Sequence, residues 1–387
     1  MIFFHKTNRL LICKHFFVVL FFGVLTNANA NANAYAQSAI APKKLAIYYG
    51  WPSLVNGANG NVNAAVDSFN DYDVVVFGDS LEFPQHIGAI GQIPDFGCDQ
   101  NSHRDHDATQ QIINLLKPKT KVYGYVSIGG EKTARQCYGI PTPTPLTVTE
   151  MKARINAWAA MGVAGIFLDE AEYGFGSTRT VQNTIEDYIH RKSLKVFING
   201  FNPDHIFGTS IINQVQYGDN TLSTVNMNPK GVRAHLGPDD TYLLEHYQII
   251  NGTYVDVQTW LNRTNKAAMY KQKYGIKVAT ISTQADVNPI NPDCSKLFDE
   301  DKFNYAWWST LLYGFDYMAW GEPSGFSSFG SCSNTLPLHA RPILGNIGRF
   351  VSPVLNDALN AQIYYRDTTA GVIEVDTDSH TGGFYPN

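Results

Sequence analysis

Charge is scarce in this chain: 16% of its 387 residues are Asp, Glu, Lys or Arg, the net charge is −5, and Lys and Arg nowhere form a cluster. Nucleic acids and anionic membrane surfaces are recognised through basic patches, so neither is an expected partner. Cysteine is also scarce, at five, and none sits in a C-x-x-C pair, which argues against a zinc or thioredoxin-type site. A serine hydrolase of the G-x-S-x-G kind is excluded because that motif is absent. The glycines of "YYGWPSLVNGANGNVNAA" lack the G-x-G-x-x-G spacing of a dinucleotide-binding loop. Apart from one stretch near the N-terminus, no apolar run approaches membrane-spanning length. No low-complexity linker divides the chain, and one domain is the economical reading.

That N-terminal stretch reads as an export signal. Lys6, Arg9 and Lys14 form a positive region, "FFVVLFFGVL" (16–25) is apolar but short for a bilayer, and small residues follow. Cleavage is expected after Ala36, with a retained anchor as the alternative, leaving a mature protein that is secreted or periplasmic, monomeric, and without a membrane contact of its own. Four cysteines then remain, Cys98, Cys137, Cys294 and Cys332, an even number that suggests two disulfides in an exported chain. Three pairings are open, of which the two local ones, Cys98–Cys137 with Cys294–Cys332, are favoured as staples.

From residue 43 onward eight short β-rich runs recur: "KLAIYYGWP" (44–52), "YDVVVFGDSLE" (72–82), "KVYGYVSIGG" (121–130), "GVAGIFLDEAE" (162–172), "LKVFINGFNP" (194–203), "YLLEHYQI" (242–249), "IKVATISTQ" (276–284) and "FDYMAWGEP" (315–323). Helical periodicity fills most gaps, at 108–117, 148–161, 180–192, 257–274 and 302–314; in the second of these Met151, Ile155, Trp158 and Met161 recur at three- and four-residue spacing. Strand and helix in alternation imply parallel strands covered on both faces, and eight such units predict a closed (β/α)8 barrel of the TIM type over 43–330. An open doubly wound sheet is the competing architecture, and the missing phosphate loop counts against it. Residues 331–387 read as an irregular extension packed on the barrel, with a terminal hairpin.

In such a barrel the carboxyl ends of the strands line the site. Polar and aromatic residues concentrate there: Tyr49 and Trp51, Asp79 and Glu82, Tyr125 and Ser127, then Asp169, Glu170 and Glu172, Asn199 and Asn202, Glu245, and finally Trp320 and Glu322. The opposite ends contribute Lys, Gly and Leu. Three acids crowded into "DEAE" need either cations or a solvated cleft, because burying an unpaired carboxylate costs several kcal/mol. The nearest cation in sequence is Arg179, so a cleft is the better reading. Two carboxylates at one mouth can be driven to different pKa values, one protonated and one ionised, as glycoside hydrolysis requires. Asp169 and Glu245, each following apolar residues at a strand end, are the expected pair.

Structural roles compete with this reading for each acid: Asp169 as a cap, Glu172 paired with Arg179, Glu245 paired with His246. Among the aromatics, Tyr49, Trp51, Tyr125, Tyr173 and Trp320 are placed to stack on sugars, while Trp158, Trp307 and Trp308 are assigned to packing. His86, His103 and His106, with Asp105 and Asp107, are read as a solvated loop with a helix cap at Asp107 rather than as metal ligands. A chitinase-type D-x-x-D-x-D-x-E segment fails at Ala171.

The runs "LAIYYGWP", "YDVVVFGDSLE", "KVYGYVSIG", "I-x-x-W-x-x-M-G-V-A-G-I-F-L-D-E" and "LKVFINGFNP" together resemble the spherulin-4-like glycoside hydrolases, extracellular barrels similar to the endo-α-1,4-polygalactosaminidases. The similarity covers roughly residues 44–250 and extends less clearly to 323. It implies hydrolysis of a galactosamine-containing exopolysaccharide, and it adds Glu170 to Asp169 and Glu245 as a catalytic acid; the paired-acid mechanism itself requires no cofactor. Strict strand alternation would turn Asp169 and Glu170 to opposite faces, so both reach substrate only if the strand ends or bends there. One departure is Asn199-Gly200-Phe201-Asn202-Pro203 where family members tend to have N-P-G. Tyr49, Asp79, Tyr125, Glu172, Asn199, Trp320 and Glu322 are expected to line the sugar subsites. The alternative function is a non-catalytic carbohydrate-binding barrel of the cell surface or matrix.

Overall fold

The computed structural model describes residues 39–78, 81–84, 105–132, 135–137, 140–142, 145–284, 298–322, 335–336 and 338–387. The export signal, Asp79, His86, Cys98, His103, Cys294, Cys332 and the side chain of Cys137 lie outside the described residues. No helix among the described residues is long and apolar enough to cross a membrane.

Eight parallel strands close into a barrel in chain order: β1 (Lys43–Tyr48), β2 (Val74–Phe77), β3 (Lys121–Ser127), β4 (Gly165–Asp169), β5 (Lys195–Asn199), β6 (Thr241–Leu244), β7 (Lys277–Thr283) and β8 (Tyr317–Gly321). Each coincides to within one residue with part of one of the eight β-rich runs, and β1 pairs with both β2 and β8 to complete the ring. The helices are α1 (Val62–Phe69), α2 (His106–Leu116), α3 (Val148–Met161), α4 (Arg179–Arg191), α5 (Pro203–Phe207), α6 (Val257–Tyr274) and α7 (Glu300–Leu312). The chain is therefore a (β/α)8 barrel of the TIM type.

Alternation along each strand divides the apolar residues into two shells. Leu45, Val76, Phe167, Phe197, Leu243 and Ile281 belong to an inner cluster drawn from all eight strands. Their neighbours, such as Ala46, Val75, Ile166, Ile198 and Leu244, join the helix residues in an outer one. Gly124 shows why β3 reads "VYGY": a Cβ there would fall 2.1 Å from the ring of Trp158 on α3. The buried indole Nε1 donates to the Tyr125 carbonyl at 3.0 Å and so fixes the end of β3.

Local chemistry sets the helix ends. Thr147 and Glu150 form a reciprocal capping box at the start of α3, and Gly162, at φ 83°, ends it in the left-handed conformation that glycine tolerates best. Asp256 accepts from the Thr259 N–H at 2.9 Å to open α6. At α2 the cap position is Asp105, not Asp107; its carboxylate turns to the Ser53 N–H at 2.9 Å, and Asp107 falls in the first turn.

The C-terminal extension is more regular than expected over 355–386. Strands β9 (Leu355–Asn356), β10 (Ile363–Thr368), β11 (Gly371–Asp376) and β12 (Thr381–Pro386) form an antiparallel sheet in that order, so this part is a regular layer and not a single terminal hairpin, while 338–354 is largely irregular as expected. The reason is alternation within β11, where Ile373 and Val375 are buried and Glu374 and Asp376 are not. Gly382 of β12 lies against Trp308 of α7, where a Cβ would meet the indole Cβ at 2.4 Å. Between β8 and this sheet, Arg341 donates to the carbonyls of Met318 and Pro42 at 2.9 and 3.2 Å, tying the segment to both β8 and the start of β1. Leu336 and Ile347 of the same stretch are buried in the outer core.

Candidate active site

The inward positions of β4 are Gly165, Phe167 and Asp169, so period two delivers the Asp169 side chain to the barrel mouth. The strand stops there. Glu170 takes φ 54°, a left-handed conformation that costs a non-glycine residue roughly 1–3 kcal/mol and persists where its surroundings enforce it. The turn presents the Glu170 N–H to Asp169 Oδ1 at 2.9 Å, and Glu170 Oε2 accepts from the Ser127 hydroxyl of β3 at 2.7 Å. The bend needed for both acids to face one mouth is present.

The same device recurs two strands on. Glu245 follows the inward Leu243 by two residues, and His246 behind it has φ 52°. Between the two acids stands Asn199, the last residue of β5. Its amide Nδ2 donates to Asp169 Oδ1 at 2.8 Å and to Glu245 Oε2 at 2.9 Å. The two carboxylate oxygens are thus separated by no more than the sum of those two bonds.

Their surroundings are unequal. Burial and the neighbouring Asp169 charge push the Glu245 carboxyl up to about 7, against which the Asn199 amide and the Arg263 guanidinium pull down. Asp169 is also raised by burial, but Asn199, the Glu170 N–H and the Tyr125 hydroxyl all stabilise its anion. Asp169 is the better placed of the two to hold charge and Glu245 to hold a proton. Glu245 is still 17% exposed, so a substrate can reach it. Tyr125 and Tyr49, both inward-facing, meet edge to face with ring centroids 5.6 Å apart beside them.

Other expected site residues fall elsewhere. Glu172, 13% exposed, accepts from the Asn202 N–H at 2.7 Å and lies 3.9 Å from His205 Nδ1; it braces the loop after β4 against the start of α5 and does not pair with Arg179. Arg179 is itself buried, donating to Gln182 Oε1 at 2.6 Å and to the carbonyls of Ile206, His205 and Gly208 around α5. Tyr173 is 1% exposed and stacks on His205, which removes it from the sugar platforms. Trp320 points outward from β8, 8% exposed, against Phe298 and Phe303; its indole donates to Glu322 Oε1 at 2.6 Å, and His339 Nε2 is 2.9 Å from the same oxygen. Trp320 and Glu322 therefore belong to the shell behind the barrel wall, because Tyr317 and Ala319 take the inward positions. Glu82 is buried in an ion pair with Arg154 at 2.5 Å. Among the described residues no group of three or more His, Cys, Asp or Glu is arranged to hold a metal ion.

One cation missed in the sequence reaches the site. Arg263 of α6 donates Nε to the Phe201 carbonyl at 3.2 Å, Nη1 to that of His246 at 3.0 Å and Nη2 to that of Glu245. A signal for it existed: Trp260, Arg263, Thr264 and Ala267 share one helical stripe whose other members are buried.

No family model matches the chain, and no curated protein matches it. Solved structures that resemble it include the glycoside hydrolase domain of PelA from Pseudomonas aeruginosa, at 12% identity and a TM-score of 0.40 over 76% of this chain and 96% of that one. AmyP in complex with maltotriose gives 9%, 0.41, 92% and 89%. A Mesorhizobium loti protein described as a dehydratase gives 9%, 0.35, 73% and 56%. Likeness of that degree carries no argument about activity.

Proposed function

We propose that this chain is an exported, monomeric glycoside hydrolase that cleaves within a galactosamine-containing polysaccharide, with Glu245 as the proton donor and Asp169 as the nucleophile. The observation that carries the reading is the single Asn199 amide bonded to both carboxylates. Protonated Glu245 donates to the glycosidic oxygen as Asp169 attacks the anomeric carbon, and the resulting Glu245 carboxylate then deprotonates the water that releases the sugar from Asp169. Inverting enzymes leave roughly 6.5–9.5 Å between their carboxyl groups to admit that water, whereas a retaining pair stands about 5–5.5 Å apart. The bridged oxygens support retention. Glu170 and Asn199 hold Asp169 in its attacking orientation, and the mechanism calls for no cofactor.

Charge favours the substrate class. The carboxyls of Asp169 and Glu170 stand beside protonated Glu245 at the mouth, while the Arg263 guanidinium is committed to backbone carbonyls beneath them. A polymer bearing ammonium groups suits such a mouth, in keeping with the resemblance to polygalactosaminidases. Asn199 Oδ1, buried and without a hydrogen-bond partner, is an acceptor suited to a sugar hydroxyl or amine.

The test is release of reducing ends, with mass spectrometry of the products, from a panel of exopolysaccharides that includes galactosaminogalactan. Asp169→Asn and Glu245→Gln are expected to lose at least about 10²–10⁴-fold in rate while still binding the polymer. A folded wild type that binds glycan and releases nothing would point instead to the non-catalytic binding role.

A further inference from the structure

Phe201 lies in the short connection between β5 and α5, within the segment where this chain departs from N-P-G. Gly200 lets that connection turn closely over α5, since a Cβ there would fall 2.6 Å from Ile206. Asn202 caps α5, its side chain accepting from the Asp204 N–H at 3.0 Å, with Pro203 at the first helical position. The ring of Phe201, held between these constraints, is 40% exposed.

Its support comes from the site itself. The Arg263 guanidinium lies 3.8 Å from the ring centroid, while its nitrogens hold the backbone carbonyls of Phe201, His246 and Glu245. The His246 ring meets Phe201 edge to face at 5.8 Å. One cation therefore fixes an exposed aromatic ring and the proton donor's backbone in a common frame.

We propose that Phe201 is the stacking platform for the sugar ring bound next to the cleaved linkage, on the Glu245 side of the mouth. The inference rests on the hydrolase reading and adds a specificity-determining residue to it. A galacto-configured pyranose presents the C–H groups at C3, C4 and C5 as an apolar face, and a rigid aromatic ring packs on such a face at little entropic cost. Arg263 is the positioning residue that keeps the platform in register with Glu245.

The experiment compares wild type, Phe201→Ala and Phe201→Trp on α-1,4-linked galactosamine oligosaccharides of increasing length and on the polymer. Phe201→Ala is expected to raise KM for the polymer roughly tenfold with kcat altered less than about twofold, and the defect should vanish on oligosaccharides too short to reach the platform. Phe201→Trp should restore KM, and all three should share one pH profile, which separates a platform from a disturbance of Glu245. An active wild type with Phe201→Ala unchanged in KM at every length overturns the platform and leaves the hydrolase standing. A uniform loss of kcat at every length, with a shifted pH profile, also overturns it in favour of a structural role. A wild type that neither cleaves nor binds these sugars overturns both.

Discussion

At the scale of single residues, the proposed chemistry depends on how differently the mouth treats two acids that share one amide. Asp169 has three groups stabilising its anion, whereas Glu245 faces the charge of Asp169 itself. Because the Glu245 pKa is raised, its proton persists to about pH 7. On the proposed mechanism, activity should fall as pH rises past about 7, when Glu245 ionises, and fall again in acid, when Asp169 becomes protonated. Replacing Asn199 with Ala removes a stabilising donor from both anions, so the alkaline limb should move to higher pH and the rate should drop about a hundredfold; a pH–rate profile reads both. That Asp169, Asn199 and Glu245 meet at one end of the barrel was legible because each stands at the end of an apolar strand. Glu172, Trp320 and Glu322 were misplaced for a physical reason. Strands buried on both faces do not announce which face is inward, and a residue beyond a strand end follows its loop and not the pleat.

At the scale of elements, the mouth is assembled by contacts between the ends of β4, β5 and β6 and the helix α6. Arg263→Met would remove one donor from each of three carbonyls and remove a positive charge that lowers the Glu245 pKa. It should cost about 2–4 kcal/mol in urea unfolding and shift the alkaline limb of activity upward. Arg263→Lys should not restore the wild type, because an ammonium lacks the planar fork that spans three acceptors. Gly124→Ala should destabilise by about 1–3 kcal/mol or more, since the Trp158 ring that its Cβ meets is buried and hydrogen-bonded in place. All eight strands and five helices could be read from periodicity. The helices α1 and α5 were not, because eight and five residues carry too little periodicity, and the pairing within 355–386 was obscured by its Gly, Thr and Asp turns.

For the whole molecule, stability should also depend on pH through a buried acid on α4. Glu186 on α4 is buried with one oxygen accepting from the His235 N–H at 2.7 Å and the other unpartnered. Burial raises its pKa from 4.5 to about 7. Between those values the unfolded chain has released a proton that the folded protein still holds, so this group's contribution to stability falls as pH rises through the window and is constant above it. Glu186→Gln has no such proton. Relative to wild type it should gain up to about 3 kcal/mol between pH 4.5 and 7, measured from urea midpoints across that range.

The close, bridged pair of carboxylates makes a claim about stereochemistry that can be watched directly. Proton NMR of a galactosamine-containing polymer during its first turnovers shows which anomer is released before mutarotation. Two carboxylates this close predict that the α-linked polymer yields the α-anomer first, with the signal absent for Asp169→Asn. Release of the β-anomer first, or no new reducing end from a wild type that binds the polymer, would contradict the account.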